Sequence, residues 1–122
     1  MEGVKWGIVV IGVSDLEKMV KFYTKTLGFT LATSDDDWAE IDTPGVYIGM
    51  YLKGADEKNY GAGNSSISYG VKDIKKTMAD LKKKGVKLGK IEEEYDGLML
   101  MTTFKDPEGN EISLVEKKPG FG

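Results

Sequence analysis

The chain has 122 residues, 40% apolar and 30% charged, enough for one domain with its own core and an ordinary balance for a globular protein. It holds no cysteine and no histidine, which excludes disulfides, thiolate or imidazole metal ligation, and Ser-His or Cys-His nucleophile pairs. All seventeen basic residues are lysine and the net charge is -3, which argues against nucleic acid as a partner and leaves no planar guanidinium for bidentate anion recognition.

No apolar run reaches the length needed to cross a bilayer, and no signal-peptide pattern precedes the first apolar stretch. A membrane is therefore not an expected partner, and the expected compartment is the cytoplasm. The stretch "GIVVIGV", residues 7–13, alternates as a strand, with Trp6, Ile8 and Val10 on one face and Val9 and Ile11 toward a helix. Asp15 is placed to N-cap that helix, whose stripe of Leu16, Met19, Val20, Tyr23 and Leu27 ends at Gly28. Short strands are expected over 29–34, 38–42 and 46–52, with Asp35–Asp37 as a solvated turn.

Residues 55–64 are small and polar and read as a linker. "GAGNSS", residues 61–66 across the end of this stretch, lacks the lysine of a phosphate-binding loop and leads into a strand, "SISYGV". A second helix follows Asp73, with Ile74, Thr77, Met78 and Leu81 on its inner face and Gly85 at its end. The lysines at 75, 76, 82, 83 and 84 read as its solvated side. Strands are expected over 86–91, 97–104 and 110–116. Glu92–Glu94 read as a solvated turn, Met99 and Met101 as core, and Asp106–Gly109 as a structural turn.

The two halves repeat one pattern. Gly12, Val13, Asp15 and Leu16 correspond to Gly70, Val71, Asp73 and Ile74, and Gly28 corresponds to Gly85. Recurrence at about sixty residues means two copies of one supersecondary unit. The expected fold class is α+β: a single domain, 1–122, of two βαβββ modules. The first spans about 1–54 and the second about 65–122.

Two such modules, with "VSDLEKMVKFYTKTLGF" near the start and "FKDPEGNEISL" near the end, resemble the vicinal oxygen chelate superfamily, which includes glyoxalase I, extradiol dioxygenases and bleomycin-resistance proteins. The resemblance implies an open, barrel-like sheet around a ligand cleft, and a homodimer. In metal-using members, it implies ligands on the first and last strands of each module. Those positions here are Ile8, Gly49, Ser66 and Ser113. None is a serviceable ligand for a catalytic divalent ion, which wants imidazole, thiolate or carboxylate. No metal and no cofactor are expected, and the chain most resembles the metal-free, bleomycin-resistance-like branch.

Strand parity gathers a candidate ligand face: Trp6, Ile8, Trp38, Glu40, Tyr47, Gly49 and Tyr51 from the first module. Ser66, Ser68, Glu111 and Ser113 come from the second, with Phe104 placed on the Glu40 face by alignment of the repeats. The tryptophans and tyrosines are equally compatible with sealing a sheet or an interface. Aromatic rings beside a carboxylate suit a partly apolar, cationic ligand. The expected function is metal-independent binding of a small molecule, sequestering a cationic or aromatic antibiotic-like compound in a dimer cleft. The alternative is a glyoxalase-like lyase or isomerase, or a dioxygenase-type enzyme, with a non-standard or absent metal. Its candidate general bases are Glu40 and Glu111. A buried, converging Glu40–Glu111 pair favours the enzyme, whereas a broad aromatic groove favours sequestration.

Overall fold

Two sheets carry the chain, each built from one of the repeated sequence units. The computed structural model describes residues 1–3, 5–54 and 66–120, so the expected linker 55–64 lies outside the described residues. Contacts divide the chain into two units, Met1–Ser65 with Pro107–Gly109, and Ser66–Asp106 with Asn110–Gly122. Among the described residues no helix is long and apolar enough to cross a membrane.

In the first unit, β1 (Ile8–Val13) leads into α1 (Leu16–Lys21), followed by β2 (Thr30–Ser34), β3 (Trp38–Thr43) and β4 (Val46–Leu52). The sheet order is β1-β4-β3-β2, with β1 parallel to β4 and the other pairs antiparallel. One face is the core: Ile11, Val13, Ala39, Ile41, Ile48 and Met50 are at most 5% exposed, and Leu16, Met19 and Tyr23 of the helical segment are buried with them. Each fully buried isoleucine or methionine contributes about 1.5–3 kcal/mol.

Asp15 caps α1 as expected, its side chain accepting from the Lys18 N–H at 3.0 Å. The α-helix itself is shorter than its apolar stripe. From Phe22 to Thr26 the chain forms a π-helical turn, in which the Leu27 N–H donates to Phe22 O at 3.0 Å. The Thr24 hydroxyl donates back to Val20 O at 2.7 Å, a side-chain bond that competes with regular helical pairing. The wider turn leaves Val20 and Leu27 half-buried while Tyr23 stays in the core. Gly28, at φ +80°, then adopts the left-handed conformation that ends the segment.

The second unit repeats the topology. β5 (Ser66–Gly70), α2 (Ile74–Lys83), β6 (Glu92–Glu94), β7 (Met99–Lys105) and β8 (Glu111–Lys117) give the order β5-β8-β7-β6, again with the first and last strands parallel. Its core holds Ile74, Leu81, Leu100, Phe104, Ile112 and Leu114.

Three expectations are corrected here. Residues 86–91 form no strand, because the Val86 N–H is taken by Leu81 O at the helix end and only Gly89 bonds to β7. The edge strand is instead the triplet Glu92–Glu94, paired with Met101, Leu100 and Met99 and exposed. Charge along an exposed edge discourages pairing with another chain. The turn falls one step later, at Tyr95, Asp96 and Gly97, all with positive φ. Met99 and Met101 are half-buried on the sheet's open face, and the alternate residues Leu100, Thr102 and Phe104 form the core.

Candidate functional site

The ladder of the first sheet aligns three rows on the face opposite α1. Ile8 stands beside Tyr47, and Tyr47 beside Asp42. Val10, Gly49 and Glu40 form the next row, and Gly12, Tyr51 and Trp38 the last. The predicted residues Ile8, Trp38, Glu40, Tyr47, Gly49 and Tyr51 therefore share one face. Trp6 lies just before β1, 66% exposed, and its ring meets Tyr47 edge-on at a centroid distance of 6.0 Å. A cleft of about 230 Å³ opens there, lined by Trp6, Tyr47, Lys5 and Asp42 among others.

At the centre of this face Trp38 leans across β4. A β-carbon at Gly49 would stand 2.5 Å from its Cη2, 2.8 Å from its Cζ2 and 2.9 Å from Cδ1 of Ile8. Only glycine lets the indole approach the backbone so closely. The indole Nε1–H donates to Glu40 Oε2 at 3.0 Å, which fixes the ring and gives the half-buried carboxylate a partner. Sequence reading placed these four residues on one face. Their interlocking lay beyond it, because parity specifies a face and not the direction in which a ring leans.

On the second sheet the open face runs Ser66–Glu111–Lys105, then Ser68–Ser113–Thr103, then Gly70–Val115–Met101. Ser66, Ser68 and Glu111 are exposed, whereas Ser113 is 5% exposed. A cleft of about 380 Å³ is lined by Ser68, Gly70, Val71, Val115 and Lys117. Phe104 does not join this face. It pairs with Ile112, stands at the opposite parity from Thr103 and is 4% exposed in the core. The residue in register with Ser113, as Glu40 is with Gly49, is Thr103. Glu40 and Glu111 belong to separate sheets and separate units.

A larger cleft, about 880 Å³, lies on the helix side of the second unit and holds none of the predicted residues. Lys72, Lys75, Lys76 and Lys118 line it, together with Asp73, Glu93 and Glu116. Two of those carboxylates are engaged in starting α2. Asp73 accepts from the Lys76 N–H at 3.1 Å and Glu116 from the Ile74 N–H at 2.8 Å. Its charges are mixed and two of its three acids serve the helix, so size alone does not make it the functional site.

The positions that hold a metal in metal-using members of the resembled superfamily do not fit one here. Ile8 offers only carbon, Gly49 offers no side chain and is covered by the Trp38 ring, and Ser66 and Ser113 are neutral hydroxyls. Among the described residues no three His, Cys, Asp or Glu side chains are grouped to hold an ion.

Comparison with known proteins agrees with this architecture. The model of the "Glyoxalase/Bleomycin resistance protein/Dioxygenase superfamily" matches residues 6–114. A protein of Arabidopsis thaliana described as "Probable lactoylglutathione lyase, chloroplastic" is 29% identical over 91% of this chain, which spans about a third (35%) of that relative's length. A superfamily member from Sphaerobacter thermophilus is 28% identical, with a TM-score of 0.76 over 96% of this chain and 100% of that one. TnmS3, described as an antibiotic binding protein from Streptomyces, shares the fold at 23% identity, with a TM-score of 0.78 over 97% and 99% of the two chains. With the family model covering nearly the whole chain and both sheets repeating one topology, this protein belongs to the glyoxalase/bleomycin resistance protein/dioxygenase superfamily.

Proposed function

We propose that this protein binds a small, partly apolar organic molecule without a metal, on the open face of its first sheet, and sequesters it unaltered. The observation that carries this reading is the cluster of Trp38, Ile8, Gly49 and Glu40, which puts an aromatic ring and an aliphatic side chain where ligation would need donor atoms and gives the one carboxylate of the cluster to the indole N–H. Tyr47, Tyr51 and Trp6 extend the apolar surface around it, and the carboxylates of Glu40 and Asp42 among these rings suit a cationic or aromatic ligand. The description of TnmS3 as an antibiotic binding protein supports an antibiotic-like compound as the ligand class. Ser66, Ser68, Ser113 and Glu111, on the open face of the second sheet, are proposed as polar ligand contacts in their own right, and the protein is proposed to be a homodimer.

A lyase or isomerase is the second reading, and the description of the plant relative favours it. It requires Glu40 or Glu111 to act as a base without a nucleophile partner of the histidine or cysteine type. Native mass spectrometry separates the two readings. The protein is measured alone, then with nickel, zinc and manganese, then with a panel of cationic and aromatic compounds. The expected result is a dimer mass without stoichiometric metal and with one or more compounds retained. One tightly held ion per site overturns the proposal and moves the enzyme to first place.

A further inference from the structure

We infer that Trp38 is a built-in occupant of its own site, and that the floor beneath its indole is a binding subsite for a planar ring carrying a protonated N–H donor. The inference rests on the open face being the ligand site, and it adds the ligand's chemistry and the group that ligand displaces.

The indole is itself a flat heteroaromatic with one N–H. It lies over the backbone of Gly49, where Ile8 Cδ1 also converges, and its N–H is received by Glu40. A ligand ring of similar shape with a donor at its edge makes the same three contacts once the indole swings away. That swing is a side-chain rotation. The strand pairing of Trp38 with Tyr51 and of Glu40 with Gly49 stays intact, so the sheet is not disturbed.

Charge decides which ligand can displace the indole. A neutral indole N–H to a carboxylate is weaker than a charge-assisted bond from a protonated nitrogen, so a cationic ring outcompetes Trp38 where a neutral ring does not. The closed indole also lowers apparent affinity by the fraction of time the floor is covered. Removing the indole therefore tightens binding. A Trp38 that served as a stacking platform would behave in the opposite way, with binding weakened by its removal.

The test uses three two-ring probes at neutral pH: protonated 4-aminoquinoline, neutral quinoline and anionic naphthalene-1-carboxylate. Each is titrated calorimetrically into the wild type, W38A and E40Q. W38F serves as a second variant should W38A not fold. The chain has two tryptophans, so ¹⁵N spectra show two indole N–H signals, which the W6F variant assigns. Binding of 4-aminoquinoline is expected to move the Trp38 indole signal. W38A should bind that probe about tenfold tighter, and E40Q about tenfold weaker, with quinoline little affected. Weaker binding by W38A, an unmoved Trp38 signal at saturation, or equal affinity for all three probes overturns the inference and leaves small-molecule binding standing. No binding of any probe to wild type or W38A removes both.

Discussion

The carboxylate of Glu108 receives the backbone N–H of Ser14 at 2.9 and 3.0 Å, its hydroxyl at 2.8 Å and the Asp15 N–H at 3.1 Å, across more than ninety positions of sequence. These donors precede the N–H that Asp15 itself caps, so two acids share the start of α1. E108A is expected to cost about 1–2 kcal/mol, as the loss of a helix cap does. Urea denaturation should show a lower midpoint with an unchanged slope. E108Q, which keeps one acceptor oxygen, should lose less. An unmoved midpoint for E108A would mean the contact carries no stability.

Gly49 sets the packing of Trp38. In G49A the added methyl group meets the ring, so overpacking is expected to cost about 1–3 kcal/mol. The Trp38 indole N–H should shift as its bond to Glu40 is strained or broken. Thermal melting and the indole signal check this together. Wild-type stability with an unmoved signal would count against the close approach.

α2 begins under two carboxylates on different donors, Asp73 on the Lys76 N–H and Glu116 on the Ile74 N–H. Each of D73A and E116A should destabilise by about 0.5–2 kcal/mol. Because the donors are separate, the double variant should come close to the sum, and a cycle of denaturation curves measures the departure.

Asn110 is 1% exposed, and both its backbone N–H and its side-chain amide donate to Asp106, itself 5% exposed, at 2.9 Å. N110A removes the side-chain donor from a buried carboxylate and is expected to cost about 1–3 kcal/mol. A loss below that of E108A, in the same urea series, would contradict the weight given to burial.

The repeat, the caps at Asp15 and Asp73, the ends at Gly28 and Gly85, and the shared face of Ile8, Trp38, Glu40, Tyr47, Gly49 and Tyr51 were all legible in the sequence, along with the family. Each follows from a rule that acts over a few residues, whether strand alternation, capping or left-handed glycine. Phe104 lies one residue away from the face that the repeat assigns it, because the ladder pairs it with Ile112 and gives the open face to Thr103. In a strand, one residue exchanges core for surface. The edge strand Glu92–Glu94 was hidden for a related reason: three acids look like a turn until β7 supplies the hydrogen bonds that hold them extended. Tertiary structure alone decided that the Trp38 ring lies on Gly49 with its N–H on Glu40, and that Glu108 reaches Ser14. Such contacts depend on ring direction and on chain segments brought together from afar, and residue type and local spacing specify neither.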